Sequence, residues 1–181
     1  MDIEILKGKH GDKPCIIIGT GPSILKIKDE SYFLPDEIII AIDDAIGHIE
    51  RLDLDNVVYS MQKDKGVVRP KKNAILLVSE HESKYYFEDY SPRYIFDAIK
   101  LFDGKNYFMH KEFSANCALK IVQLFGCSKI RLIGFDSCTN GDIRHVGLNG
   151  TISNGEPEYV YQCPRMYSLI QQDGLNVEFI L

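Results

Sequence analysis

Gly19-Thr20-Gly21-Pro22-Ser23 carries the most specific chemical signature in this chain. It follows Ile16-Ile17-Ile18, three β-branched residues that favour a short buried strand. Two glycines two positions apart permit a tight turn and let a ligand approach the backbone closely. Pro22 has a fixed φ and no N–H, which suits the first position of a helix. Ser23 then brings a hydroxyl to a helix start, where amide donors and the helix dipole favour an anion. Strand, glycine turn and helix start together read as a phosphate-binding corner. The competing reading is a purely structural strand-to-helix turn. The third glycine of the dinucleotide fingerprint is replaced by Ile24 or Leu25, and the Gly-Lys-Ser/Thr of a P-loop is absent.

Four further places hold reactive side chains. Asp43 and Asp44 follow the apolar run Ile38–Ile42; an acid at such a strand end takes a ribose hydroxyl in nucleotide-binding sheets, or one of the two caps the next helix. Asp64 and Asp136 each end a predicted strand. With Asp43 they could offer Mg²⁺ three carboxylates, phosphate oxygens completing its shell, or they could simply form turns. Ser114 heads a predicted helix, as its N-cap and as a start whose N–H groups can serve a phosphate or a base. His145 lies in Gly141-Asp142-Ile143-Arg144-His145-Val146-Gly147, within the longest irregular stretch. Its imidazole suits a general base or a phosphate partner, and Arg144 beside it suits an anion clamp. His10, His48, His81 and His110 read as solvated side chains.

The elements that must position these residues alternate in type. Strands are predicted at 15–19, 38–42, 57–61, 74–78, 129–134 and 176–181, with an edge strand at Ile3–Leu6 and another short one at Tyr107–Met109. Helices are predicted from Ser23, from 45 to Arg51, from Ser91-Pro92 through Ile95, Phe96, Ile99 and Leu101, from Ser114 to Gly126, and over 158–173 around Pro164. Core strands that are apolar throughout point to an α/β, Rossmann-like, mostly parallel sheet with helices on both faces. In such sheets ligands bind beyond the carboxyl ends of the strands, at a topological switch point. Residues 19–23, 43, 64, 111–114 and 134–136 all fall at those ends.

With 181 residues, 45% hydrophobic and 26% charged, the chain reads as one nucleotide-binding α/β domain over 1–181. A net charge of −5 argues against nucleic-acid partners, and Arg69-Pro70-Lys71-Lys72 reads as a solvated loop. The five cysteines are odd in number and form no Cys-x-x-Cys, so neither a disulfide framework nor a zinc site is expected. With no secretory signal and no membrane span visible, the reading is a cytoplasmic protein. A homo-oligomer is compatible with this sequence.

Two blocks carry a family resemblance: Pro14 to Ile24, and Ser114 to Gly126 followed by Ile130-Arg131-Leu132-Ile133-Gly134-Phe135-Asp136, Gly141 and His145-Val146-Gly147. Together they resemble the family of archaeal hydroxymethylpterin diphosphokinases and Maf-type flagellin glycosyltransferases, with a similar layout in bacterial sialyltransferases that use CMP-sialic acid. The resemblance implies a variant Rossmann-like sheet that binds a nucleotide or nucleotide-sugar donor, CMP-type or ATP, and transfers to a small-molecule or glycan acceptor. It implies that Gly19, Thr20, Gly21, Pro22 and Ser23 cradle the phosphate side. Asp43, Ser114, Ala115 and Asp136 would bind the nucleoside, with His145 as catalytic base. Where the sialyltransferases hold the leaving phosphate with tyrosines, this chain has Cys138 and Arg144, and Lys111 stands for an arginine. The expected activity is a glycosyltransferase-like transferase. The alternatives are a Mg²⁺-dependent pyrophosphokinase acting from ATP on a hydroxymethyl group, and a non-catalytic nucleotide-binding protein.

Overall fold

The computed structural model describes residues 1–63, 74–80, 93–102, 113–155 and 157–180. The sheet consists of β1 (Pro14–Ile18), β2 (Ile38–Ile42), β3 (Val58–Gln62), β4 (Ile75–Ser79), β5 (Arg93–Phe96), β6 (Lys129–Ile133) and β9 (Val177–Phe179). Its order is β5-β4-β3-β2-β1-β6-β9, and every pairing is parallel. From β1 the chain works outward to β5 and then returns to lay β6 on the other side of β1. The direction of winding therefore reverses between β1 and β6, which makes that pair the switch point. A two-stranded antiparallel ribbon, β7 (His145–Val146) with β8 (Ile152–Ser153), stands apart from the sheet.

The helices are α1 (Ala45–Ile49), α2 (Ala98–Leu101), α3 (Ser114–Phe125), α4 (Asp136–Thr139) and α5 (Glu158–Gln172). Side chains alternate along each strand, so the sheet feeds two cores. Cys15, Ile17, Ile40, Tyr59 and Met61 pack with α3 and with Met166 and Leu169 of α5 on one face. Ile16, Ile18, Ile39 and Ala41 pack with Ile24, Ile27 and α1 on the other. The α/β, Rossmann-like arrangement expected from the apolar strands is therefore the fold, with cover on both faces. Among the described residues no helix is long and apolar enough to cross a membrane.

Several elements differ from the sequence reading. Ile3–Leu6 is a 3-10 turn capped by the Asp2 carboxylate, not a strand. No α-helix starts at Ser23: Pro22–Lys26 is one 3-10 turn entered from Gly21. The expected helix through Ile95 and Phe96 divides into β5 and the short α2. Asp97 ends the strand by accepting the Ile99 and Lys100 N–H groups. His10 is buried rather than solvated, its Nε2 2.7 Å from the Tyr59 hydroxyl, and His48 Nε2 lies 2.9 Å from the Ile27 carbonyl. The expectations for Tyr107–Met109, Asp64, Lys111, His81, His110 and the cluster at 69–72 fall outside the described residues.

Candidate functional site

At the switch point β1 and β6 meet backbone to backbone. A Cβ on Gly19 would stand 2.5 Å from the Gly134 carbonyl oxygen, and one on Gly134 would stand 2.2 Å from that of Gly19. Gly134 also has a φ of +78°, so only glycine fits there without strain. The Gly19 and Gly21 N–H groups donate to the Ile133 and Gly134 carbonyls, both at 2.8 Å. Ser23 is tied in as well. Its N–H and its hydroxyl donate to Asp136 Oδ2 at 3.0 and 2.8 Å, and its Oγ accepts the Gly134 N–H at 2.9 Å. Ser23 and Asp136 are both buried.

The predicted phosphate corner thus already holds an anion, the protein's own Asp136 carboxylate. The glycine spacing that suggested close approach of a ligand serves close approach of β6 and α4 instead: a Cβ on Gly21 would fall 2.2 Å from Asp136 Oδ2. Of residues 19–23, Thr20 keeps a different position. Among the described residues none accepts its N–H, while its carbonyl takes the Val146 N–H at 2.6 Å and so fastens the ribbon to the turn.

Beside this closed corner lies an open crevice of about 170 Å³. Gly19 and Thr20 just after β1, Asp43 just after β2, Ser114 and Ala115 from α3, and Gly134 and Ser137 from the β6 side line it. Five residues singled out in the sequence (Gly19, Thr20, Asp43, Ser114 and Ala115) therefore converge on one cavity. Gly21, Pro22, Ser23 and Asp136 form its supporting wall rather than its lining. Phe113 and Phe135, which fall within the strand-end stretches 111–114 and 134–136, line it too, and so do Ser137 and Gln162, which were not singled out. Gln162 comes from α5, some 25 residues beyond Asp136, and no local spacing marks it.

Two features aim this crevice. Asp43 has φ +50°, the left-handed region that Asp and Asn tolerate better than other side-chain-bearing residues. Its N–H donates to Met61, and the buried Gln62 amide donates to the Asp43 carbonyl at 3.2 Å, holding the turn from both sides. Asp44 heads α1 without a side-chain cap, so the capping role expected of one aspartate is not filled by this residue. The second feature is the start of α3. Phe113, not Ser114, is its cap residue and gives no side-chain hydrogen bond. Ser114 and Ala115 are its first helical residues, so the positive end of a 12-residue helix opens on the crevice. Asp43 is the sole charged side chain among the described lining residues.

His145 and Arg144 stand on the ribbon beside Thr20. His145 Nε2 lies 3.0 Å from the Ser153 hydroxyl. Arg144 is exposed and folded onto Asp142, its Nε donating to both carboxylate oxygens at 2.9 and 3.1 Å. That fork holds the Asp142 carboxyl at about 2, with the Arg144 hydrogen bonds as the main cause. The anion that Arg144 clamps here is therefore a neighbour on its own loop. For the proposed Mg²⁺ site the geometry is unsupportive. Asp136 is committed to Ser23, Asp64 lies outside the described residues, and no group of three metal-ligating side chains occurs among the described residues.

The crevice wall also contains a bond that the sequence reading did not expect. Cys138 of α4 and Cys163 of α5 form a disulfide, with Cα atoms 5.1 Å apart. Cys15, Cys117 and Cys127 form no disulfide.

No family model matches this chain, and neither does any curated protein sequence. A solved structure does resemble it: the sialyltransferase CstII from Campylobacter jejuni, in complex with the substrate analogue cytidine-5′-monophosphate. The TM-score is 0.54 at 14% identity, over 93% of this chain and 80% of that one. At that identity the likeness is one of fold, and the chain shares the α/β arrangement of a glycosyltransferase.

Proposed function

We propose that this protein is a nucleotide-sugar-dependent transferase of glycosyltransferase type whose crevice holds the nucleoside of the donor. The single observation that carries the reading is the convergence of Asp43, Thr20 and the first turn of α3 on one cavity at the β1/β6 switch point. A carboxylate held at a strand end by a left-handed turn suits a pair of ribose hydroxyls, which donate to it. The Thr20 N–H and the first turn of α3 suit a phosphate, because both present amide donors and the helix adds its dipole. The likeness to a sialyltransferase solved with CMP supports a CMP-type donor over ATP. His145, on the ribbon tied to Thr20, is the candidate base that takes the proton of an attacking acceptor hydroxyl. The acceptor is then a small molecule or a glycan. The diphosphokinase alternative gains nothing from the geometry.

Calorimetric titration with CMP, UMP and AMP tests the reading. CMP is expected to bind with a micromolar dissociation constant, without Mg²⁺. Asp43→Asn keeps the left-handed turn and removes the charge, so its fold is expected to survive while CMP affinity falls about tenfold, on the order of the 1.4 kcal/mol that corresponds to it. No binding of any of the three nucleotides at millimolar concentration would overturn the assignment.

A further inference from the structure

The disulfide joins two walls of the crevice at the residues next to its lining. Cys138 follows Ser137, and Cys163 follows Gln162. The two walls are not equally well held without it. On the α4 side, Asp136 is fixed by Ser23, and beside the disulfide one hydrogen bond joins the two walls, the Tyr167 hydroxyl of α5 donating to the Cys138 carbonyl at 2.7 Å. On the α5 side Cys163, Met166 and Leu169 are buried at helical spacing. Upstream, Val160 and Tyr161 are exposed, Tyr161 by 76%. Pro164 has no N–H to return to the Val160 carbonyl, so the helix loses a hydrogen bond just where this wall begins. Cys163 is thus the covalent tie of α5, and of the neighbouring Gln162, to α4.

We infer that Cys138–Cys163 is a reversible thiol–disulfide site that sets the α5 wall of the crevice, closed and ordered when oxidised, loosened when reduced. Cys138 is half-buried whereas Cys163 is 5% exposed, so the sulfur open to attack is that of Cys138. The thiolate of a small thiol attacks Cys138 Sγ, the S–S bond breaks, and the Cys163 sulfur leaves as a thiolate that takes a proton. A second small thiol then attacks the mixed disulfide, leaving two protein thiols and one low-molecular-weight disulfide. The small thiols supply both electrons. A low-molecular-weight disulfide in excess reverses both steps. The consequence for the site rests on the nucleotide reading above: Gln162 and Ser137 approach a bound nucleotide from one fixed direction only while the bond is intact.

The experiment compares the oxidised protein, the same protein reduced with dithiothreitol, and the double variant C138S/C163S, the bond state being checked by alkylation and mass spectrometry. Two readouts are taken. Hydrogen exchange follows the peptides over 136–141, where Asn140 and Gly141 donate to the Asp136 carbonyl, and over 158–166. Calorimetry follows CMP binding. Oxidised protein is expected to exchange at least tenfold more slowly over 158–166 than the reduced form, and to bind CMP about fivefold more tightly. The double variant is expected to match the reduced protein whether or not dithiothreitol is present. Equal exchange in both states, or failure of the bond to be reduced without denaturant, overturns the proposal. Absence of CMP binding in both states, with the exchange difference intact, refutes the nucleotide reading and leaves the redox-set wall standing.

Discussion

The two ends of the sheet each bury a carboxylate, one reaching across β1 and one joining the ends of β1 and β6, and they do it by different chemistry. At the amino edge Glu37, just before β2, is fully buried and reaches Arg131 of β6, whose NH1 donates to its two carboxylate oxygens at 3.1 and 3.3 Å. The Leu34 N–H donates to the same carboxylate, and Arg131 also donates to the Tyr32 carbonyl and stacks over its ring. At the carboxyl edge Asp136 reaches Ser23 and receives only neutral donors, two N–H···O contacts and one O–H. A charge pair tolerates no change of partner, so the amino edge is locked. Neutral donors cost less to rearrange. The crevice lies beside the second kind of closure, where a wall can shift without stranding a charge.

The contrast can be tested by breaking each closure in turn. The largest effect is expected for Arg131→Ala, which leaves Glu37 buried without its cation. Denaturant unfolding should show a loss of about 3–5 kcal/mol, with CMP affinity of the remaining folded protein unchanged. A matching loss of CMP affinity would show that the two edges are coupled through β1. Ser23→Ala removes one donor from Asp136 and the acceptor of the Gly134 N–H, at a cost of about 1–3 kcal/mol. Unlike the first variant it is expected to weaken CMP binding too, because it releases α4. Stability loss with unaltered binding would reduce the corner to plain scaffolding.

The smallest effect is a pH dependence that belongs to the amino edge. His10 lies in the loop before β1, and burial, aided by Lys9 and Lys13, lowers its pKa from the usual 6.5. The unfolded chain then binds a proton that the folded chain resists, so stability falls as pH drops through the histidine range. Glu37 acts in the opposite sense, since burial pushes its carboxyl up despite the Leu34 N–H and Arg131, and it acts at lower pH, in the carboxylate range. Melting temperature should decline modestly from pH 7 to pH 5.5 in the native chain and stay level in His10→Gln. A slope that persists in the variant would assign the proton to another group.

Much of this arrangement was written locally. Ile38–Ile42, bounded by Glu37 and Asp43, is the whole of β2 because an all-apolar run has no other place than the middle of a parallel sheet. The helix from Ser114 to the left-handed Gly126 is legible for similar reasons. What misled was chemistry with two uses. Gly-x-Gly-Pro-Ser serves a ligand's phosphate or another loop's backbone, and only the position of Asp136, more than a hundred residues on, decides between them. Arg93 to Leu101 has apolar residues at helical spacing, yet β4 offers an open edge that takes Arg93–Phe96 as a strand. Gln162 and the Cys138–Cys163 bond depend on how α5 folds back on α4, which no short-range pattern records.

The contact between Gly19 and Gly134 has a consequence for how this chain can diverge. Each would-be Cβ meets a main-chain oxygen of the other residue, so no substitution elsewhere can make room for it. Pairs of packed side chains drift together by compensating in volume, but two touching backbones have nothing to trade. Distant kin of this chain can therefore lose nearly every matching letter and still be traced by one long-range doublet, a glycine ending the first strand and a glycine ending the strand laid down beside it.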